Sequence, residues 1–553
     1  MLSLLILLVI VLFLPISGYP QGRGHFDAGL ADQERGDFDA ALDAAIESFT
    51  LAIKAGDLST QNLADAYNNR GFAYQTKGDH DRAIQDYNEA IRLRPNAPGF
   101  YSNRGLAYGS KGDHDRAIQD FNEAIRLNPN YANAYNNRGL AYQTKGDTDR
   151  AIQDFNEAIR LNPNLAAAYY NRGNAYSDKG DNDRAIQDLN EAIRLNPNYA
   201  EAYYNRGVVS GNKGDHDRAI QDYNEAIRLN PNDAQAYTNR GAAYGAKGDN
   251  DRAIQDLNEA IRLNPNLANA YVFRGFAQGT KGDHDRAIQD YNEAIRLNPK
   301  YALAYTNRGL AYGRKGDNDR AIQDYNEAIR LNPNDAEAYT GRGIAYNSKG
   351  DNDRAIQDYN EAIRLNPNYA LAYNNRGNAY RNKGDIDRAI QDFNETIRLN
   401  PNDAIAYSGR GLTRFFLAQF QAAQEDFKKA LELYATHPYY ATLLYLARAR
   451  AGQDGRTELA ANVERLKFVG ITEQIVSLFL EKTTPDDLFL AAKTSDPKKQ
   501  KENLCQAQFY LGQYTLLRGN ESEARKLFSA AVETCPTNFV EYFGAQAELK
   551  RLK

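Results

Sequence analysis

The two cysteines of the chain, Cys505 and Cys535, are its first candidates for chemistry. They fall at the start of the first helix and the end of the second helix of one predicted antiparallel hairpin, which brings both thiols to the same end. In an exported protein such a pair forms a disulfide, whereas reduced thiols pack as small apolar residues. No further cysteine or histidine lies nearby to complete a tetrahedral metal site. The pair therefore predicts a disulfide, provided that the chain is exported.

The six histidines are the next candidates, as general bases or metal ligands. Four of these histidines recur at one position of a repeat that is described below. Other copies of the repeat hold threonine, asparagine or isoleucine at that position, so a metal ligand or a catalytic base is not expected there. We expect solvated turn residues at these four positions, His80, His114, His216 and His284. The remaining His25 and His437 have no candidate nucleophile as a partner, and no glycine-rich phosphate loop follows a strand. The sequence therefore predicts a protein that is not an enzyme and needs no cofactor.

An arginine and an aspartate recur together along the chain. The arginine directly precedes one glycine of each repeat copy, and the aspartate follows that glycine by fifteen residues, as in Arg70 and Asp86. A partly buried arginine needs a partner, and every copy supplies one, so we predict an ion pair between the two helices of each repeat. The alternative is two solvated charges with partners one helical turn away, for example Arg82 with Asp86.

The charge balance excludes one class of partner. Lysine and arginine total 67 and aspartate and glutamate total 72, which gives a formal net charge of -5 without a basic block in either half. A nucleic-acid-binding surface needs clustered basic residues that displace counterions from phosphates. The sequence therefore predicts protein or peptide partners and no nucleic acid.

A unit of 34 residues positions these side chains, and its marker glycine recurs eleven times from Gly71 to Gly411. In the copy around Gly139, apolar and small residues fall at helical spacing in each half of the unit. Gly146 and Asp147 break the first helix and cap the second, and Pro163 ends the unit. Each unit is thus a helix hairpin whose apolar face is covered only when the next unit stacks on it.

The period, the glycine, tyrosine, alanine and aromatic residues at fixed offsets, and the closing proline resemble the tetratricopeptide repeat. The resemblance implies an all-α fold, a right-handed superhelical solenoid of helix hairpins with a helical C-terminal extension. We expect an export signal or N-terminal anchor in residues 1–20, because the apolar run there is too short to span a bilayer. The expected remainder is a degenerate first repeat (24–57), eleven repeats (64–437), connecting helices (438–500) and a terminal repeat with a capping helix (501–553).

The C-terminal segment carries a second resemblance. Leu443–Ala447, Ile475–Leu480 and Phe509–Tyr514 are similar, in order, to the tail of NlpI-type repeat lipoproteins. Those proteins are homodimeric adaptors of the bacterial envelope that bring a tail-processing protease to cell-wall hydrolases. The resemblance implies a location in the periplasm or cell envelope, partners of these two kinds and a homodimer formed through the C-terminal segment. This chain has Tyr19 where the lipidated cysteine would lie, so no lipid is expected.

The first helices of the repeats are predicted to line a concave groove that binds proteins or extended peptides. The groove residues are expected to be Asn68, Phe72, Gln75, Leu106, Asn136, Leu140, Gln143, Tyr170, Asn174, Tyr204, Phe276, Leu310, Asn374 and Asn378, with Arg314 and Arg381 beside them. An asparagine also recurs two residues before the marker glycine, for example Asn103. It either grips a peptide backbone or hydrogen-bonds the neighbouring repeat, and the sequence does not separate the two.

The sequence thus predicts a non-catalytic adaptor of the bacterial cell envelope. Two alternatives stay open. A structural spacer would use the repeats as a rigid rod and would show no saturable binding to the groove. A cytoplasmic signalling scaffold would hold its two cysteines reduced.

Overall fold

The computed structural model describes residues 38–56, 58–435, 437–466, 468–537 and 539–553, and within these ranges the regular structure consists of thirty α-helices. The predicted export signal, residues 1–20, lies outside the described residues, as does the first half of the predicted degenerate repeat with His25. The all-α prediction is confirmed. No helix in the described ranges is both long enough and apolar enough to cross a bilayer.

The helices fall into two compact units, which meet in sequence between Leu263 and Asn264. The first unit contains α1 Phe38–Ala55, α2 Thr60–Thr76, α3 His80–Leu93, α4 Pro98–Ser110, α5 His114–Leu127, α6 Ala132–Thr144, α7 Thr148–Leu161, α8 Ala166–Asp178, α9 Asn182–Leu195, α10 Ala200–Asn212, α11 His216–Leu229, α12 Ala234–Ala246 and α13 Asn250–Leu263.

The second unit continues the same hairpins and adds seven C-terminal helices. It contains α14 Ala268–Thr280, α15 His284–Leu297, α16 Ala302–Arg314, α17 Asn318–Leu331, α18 Ala336–Ser348, α19 Asn352–Leu365, α20 Ala370–Lys383, α21 Ile386–Leu399, α22 Ala404–Phe416, α23 Phe420–Leu433, α24 Pro438–Arg450, α25 Arg456–Arg465, α26 Ile471–Phe479, α27 Pro485–Ala492, α28 Pro497–Leu517, α29 Glu521–Thr534 and α30 Val540–Arg551.

The turn inside the hairpin of α6 and α7 follows from two residues, which recur in nine further repeat copies. Gly146 has a φ of +83°, a left-handed conformation that glycine adopts without strain, and it ends α6. Asp147 then caps α7, because its carboxylate accepts a hydrogen bond from the backbone N–H of Arg150 at 3.2 Å. Local residues therefore fix where one helix ends and the next begins.

Close packing inside each hairpin depends on the marker glycine. A Cβ at Gly139 would lie only 2.7 Å from Cε1 of Phe155, so the aromatic ring of α7 rests directly on the backbone of α6. Ala151, Phe155 and Ala158 are fully buried on the facing side of α7. Within each unit, the second helix of a hairpin also packs against the first helix of the next one. Stacking therefore covers the apolar face that a single hairpin leaves open.

The C-terminal helices of the second unit form its largest apolar core, which includes residues of every helix from α22 to α30. The hairpin of α28 and α29 repeats the glycine contact, since a Cβ at Gly512 would lie 2.6 Å from Cε1 of Phe528. A disulfide between Cys505 and Cys535 ties the start of α28 to the end of α29. Both cysteines are buried, so the cross-link lies inside the core.

Candidate protein-binding face

The recurring arginine and aspartate form the predicted ion pair. Arg138 donates from Nε to Oδ2 of Asp154 at 2.8 Å and from Nη2 to Oδ1 at 2.6 Å, and only 8% of the aspartate side chain is exposed. The pair is present in all eleven copies, from Arg70–Asp86 to Arg410–Asp426. The prediction is confirmed.

The alternative pairing of Arg82 with Asp86 is wrong, because Arg82 binds the capping residue Asp79 at 2.5 Å. Asp86 is instead taken by Arg70 across the hairpin. The hydrogen bonds and charge of Asp86 outweigh burial and raise the pKa of Arg70 above its ordinary value. Both charges are therefore retained inside the repeat.

Polar contacts also link one repeat to the next. The third donor of Arg138, Nη1, bonds Oδ1 of Asn122 in the preceding repeat at 2.6 Å. At the turn, Lys145 pairs with Asp115, again of the preceding repeat. The lysines at the same position of other copies, for example Lys111 and Lys179, pair with aspartates of the preceding repeat in the same way. These lysines therefore do not form a free basic surface.

The first helices leave one side uncovered, which we call the first-helix face. It carries an apolar side chain one residue after the marker glycine in several copies. In the first unit these are Leu106 and Leu140, and in the second unit they are Phe276, Leu310 and Ile344, with exposures between 37% and 49%. Ile344 is absent from the predicted groove residues, although its position one residue after Gly343 marks it as a member.

The recurring asparagine bonds the preceding repeat. Nδ2 of Asn103 donates to Asn68 Oδ1 at 2.9 Å, and Nδ2 of Asn205 donates to the Tyr170 hydroxyl and to Asn174 Oδ1, both at 2.9 Å. The same contact joins Asn171 to Asn136 and Asn239 to Tyr204. Of the two alternatives for this asparagine, the structure shows contact with the neighbouring repeat in these four copies. The contact fixes the side chains that the first-helix face presents.

The other predicted groove residues differ in exposure: some present a side chain on the first-helix face, and others lie beneath it. Asn136 and Asn374 are only 8% and 7% exposed, so they lie beneath the first-helix face and do not present a side chain at its surface. Gln75 accepts a hydrogen bond from the Tyr87 hydroxyl at 2.9 Å, and Gln143 donates to Asp178 at 2.8 Å. Phe72, Tyr170, Asn174, Tyr204 and Asn378 are partly exposed.

The four recurring histidines each begin the second helix of their hairpin, directly after the capping aspartate. His80 and His284 are partly exposed there and keep a buried Nδ1 without a hydrogen-bond partner. In the described ranges, no cluster of three or more histidine, cysteine, aspartate or glutamate side chains is arranged to hold a metal ion.

The fold and this face define a helical-repeat protein whose first helices present an ordered apolar and amide-rich surface. Tetratricopeptide-repeat family models match residues 64–97, 107–146, 132–165, 155–187, 173–214, 211–248, 234–267, 280–316, 306–370, 370–403 and 404–437. Together these matches cover more than half of the chain. The protein belongs to the tetratricopeptide-repeat family, whose members generally mediate protein–protein interactions.

One curated relative is a lipoprotein NlpI homolog of Haemophilus influenzae, 31% identical over 147 residues that cover 25% of this chain. The chain spans 45% of the length of that relative. Among solved structures, MamA is 33% identical over 30% of this chain and 96% of its own, with a TM-score of 0.28. YrrB, described as a TPR protein with an unusual peptide-binding site, is 25% identical over 34% of this chain and 96% of its own, with a TM-score of 0.31.

Proposed function

We propose that this protein is a non-catalytic adaptor that holds extended segments of partner proteins on the first-helix faces of its repeats. The observation that carries the proposal is the row of exposed apolar side chains Leu106 and Leu140 in the first unit and Phe276, Leu310 and Ile344 in the second. Apolar side chains that recur in register on a rigid surface suit a ligand with apolar anchors at regular spacing.

The polar residues support the same proposal. Because the asparagine contacts and the Arg–Asp pairs are satisfied within the protein, the face is held in one arrangement before a ligand arrives. Preorganisation lowers the entropy that binding costs, so modest apolar anchors suffice for useful affinity.

We further propose that the adaptor works outside the cytoplasm, in the bacterial cell envelope, with a tail-processing protease or a cell-wall hydrolase among its partners. The buried disulfide supports an oxidising compartment, since structural disulfides persist mainly there. The similarity to the lipoprotein NlpI homolog supports the envelope. Homodimer formation through the C-terminal segment belongs to the same proposal.

The test compares three forms of the full chain in a cross-linked pull-down from envelope extract: wild type, a variant with Leu106, Leu140 and Leu310 changed to Ser, and a control with the exposed Leu490 changed to Ser. Each recovered protein is then divided into overlapping synthetic peptides, whose binding is measured by calorimetry. The adaptor proposal requires saturable binding that the triple variant loses and the control keeps. Equal recovery by all three forms would reject it and favour the spacer.

A further inference from the structure

The disulfide of the C-terminal hairpin borders a cavity of about 500 Å³ in the second unit. Cys535 lines this cavity together with Lys501 of α28, and the turn between α18 and α19 contributes Ser348, Lys349 and Gly350. Lys501 and the three turn residues are exposed, so the cavity opens to solvent. One of the two bonded cysteines therefore adjoins a space that a small group can enter from outside.

The two cysteines differ in how they can be reached. Cys505 lies within α28 and is 0% exposed, whereas Cys535 is 5% exposed and stands where α29 ends. The chain leaves the helix there, and the next two residues, Pro536 and Thr537, also line the cavity. Cys505 is not among the lining residues. A thiolate that enters the cavity thus meets Cys535 first.

The charges around the disulfide favour the same direction of attack. Lys501 and Cys505 are four residues apart on α28, which places them on one side of the helix, and an ammonium group stabilises a nearby thiolate. Cys535 lies at the C-terminal end of α29, where the helix dipole is negative, and Glu533 adds to that negative charge. Thiol–disulfide exchange is faster when the sulfur that leaves is the better stabilised thiolate. Cys505 is therefore the leaving group and Cys535 the sulfur that is attacked.

We propose that this cavity admits a dithiol reductant, whose thiolate attacks Sγ of Cys535 and opens the cross-link between α28 and α29. In the first step a bond forms between the reductant's sulfur and Cys535. The bond between Cys505 and Cys535 breaks, and its electron pair leaves on Cys505 as a thiolate next to Lys501. The site and the chemical class of its reactant go beyond peptide binding on the first-helix faces and do not depend on it.

The second step completes the reduction. The other thiolate of the reductant attacks its own first sulfur, and the electron pair of the mixed disulfide leaves on Cys535. The reductant ends as a disulfide, and the two cysteines have gained two electrons from it and two protons through solvent. The reverse sequence with an oxidised dithiol restores the cross-link.

The packing of the hairpin explains why the reactant is a dithiol. Both cysteines belong to the apolar core of the C-terminal helices, so Cys505 stays beside the mixed disulfide after the first step. Held there, it attacks Cys535 again and expels a monothiol, since a positioned group reacts far faster than one in solution. A dithiol competes with that return because its second sulfur is also held in place.

The first test follows reduction of the wild-type full chain by dithiothreitol under native conditions. Samples are quenched with an alkylating reagent, and the modified cysteines are counted by mass spectrometry. Direct entry through the cavity predicts a rate that stays proportional to the dithiothreitol concentration. The monothiol 2-mercaptoethanol, at an equal thiolate concentration, should reduce the protein at least about 10-fold more slowly. A rate that reaches a plateau would mean that the hairpin must open before the sulfur is reached, and would overturn the proposal.

Two substitutions at the cavity test its residues. Lys501→Gln should slow reduction roughly 3- to 10-fold because it removes the cation beside the leaving thiolate. The control Lys499→Gln changes an exposed lysine on another side of α28 and should leave the rate unchanged. Equal rates for these two variants would exclude the role of Lys501.

Ser348→Trp narrows the cavity from the end of α18 and should slow reduction at least about 10-fold. Its matched control is Ser110→Trp, at the last residue of α4, which does not line the cavity. Melting temperatures of both tryptophan variants show whether the fold is retained. Reduction of a folded Ser348→Trp variant at the wild-type rate would show that the reductant enters by another path.

Single-cysteine variants identify the accessible sulfur without a reductant. Cys505→Ala leaves only Cys535, and Cys535→Ala leaves only Cys505, and each variant is treated with the aromatic disulfide 5,5′-dithiobis(2-nitrobenzoate). The thiol of Cys535 should react at least about 10-fold faster than that of Cys505, because it borders the cavity. Faster reaction of Cys505 would contradict the proposed direction of attack. The wild-type dependence on dithiothreitol concentration decides the question even where a single-cysteine variant folds poorly.

Discussion

Arg138 and Asp154 form a two-point hydrogen-bonded ion pair between the two helices of one repeat, at 2.8 and 2.6 Å. The third donor of the same guanidinium reaches Asn122 in the preceding repeat. One side chain thus sets the geometry of its own hairpin and contributes to stacking on the neighbour. Its recurrence in eleven copies makes the repeats alike in their polar contacts as well as in their apolar core.

Arg138→Met should destabilise its repeat strongly, because it leaves the Asp154 carboxylate buried without a partner. We expect a loss of about 3 kcal/mol in the local free energy of unfolding. Hydrogen exchange of the α6 and α7 amides is the suitable measurement, since repeat arrays open locally. The control is Arg160→Met, which removes the much more exposed pair of Arg160 with Glu157 and should cost far less than Arg138→Met. Equal effects of the two substitutions would contradict a buried role for Arg138.

Gly139→Ala and Gly109→Ala should have opposite effects, although both glycines lie inside first helices. A Cβ at Gly139 would meet the Phe155 ring at 2.7 Å and the Ala151 carbonyl oxygen at 3.1 Å, so overpacking should cost about 1–3 kcal/mol. The nearest atom to a Cβ at Gly109 is the Ala117 Cβ at 4.0 Å, so its higher helix propensity should stabilise by up to about 1 kcal/mol. The measurement is the melting temperature of each variant, which should fall for G139A and rise for G109A. A higher melting temperature for G139A would show that the Phe155 ring can move away without cost.

The repeating part of the fold could be predicted from the sequence because its signals are local. The turn at Gly146, the cap at Asp147 and the Arg138–Asp154 pair each depend on residues within one unit. The ion pair recurs in all eleven copies, and the turn and cap recur in all but the last, which has Ala418 and Gln419 there. Burial of Asn136 and Asn374 could not be predicted, since it depends on how closely adjacent first helices approach. The contact of α30 with α22 could not be predicted either. Arg551 donates to the carbonyl oxygen of Phe416, which lies 135 residues earlier in the sequence, and no periodicity connects the two residues.

Reduction of the disulfide between Cys505 and Cys535 should destabilise α28 and α29 by about 3–4 kcal/mol. The two cysteines are 30 residues apart, and without the bond the unfolded chain regains the conformational entropy of that loop. The measurement is hydrogen exchange of the two helices with and without dithiothreitol. A variant with both cysteines changed to Ala should show the reduced behaviour in either condition. Unchanged protection after reduction, verified by thiol labelling, would mean that apolar packing alone holds the hairpin.

The carboxyl group of Glu541 should make the stability of the second unit depend on pH. Burial raises its pKa from 4.5 to about 7 in the folded protein. The folded state therefore keeps a proton that the unfolded chain loses, so this group lowers stability as the pH rises from about 4.5 to 7, and the penalty is complete above that window. Its full size would be on the order of 3 kcal/mol. Glu541→Gln should raise the melting temperature at pH 8 and leave it nearly unchanged at pH 4.5, whereas Glu533→Gln, at an exposed position, should change neither. A Glu541→Gln variant that is destabilised at pH 8 would show that the carboxylate is needed in its charged form.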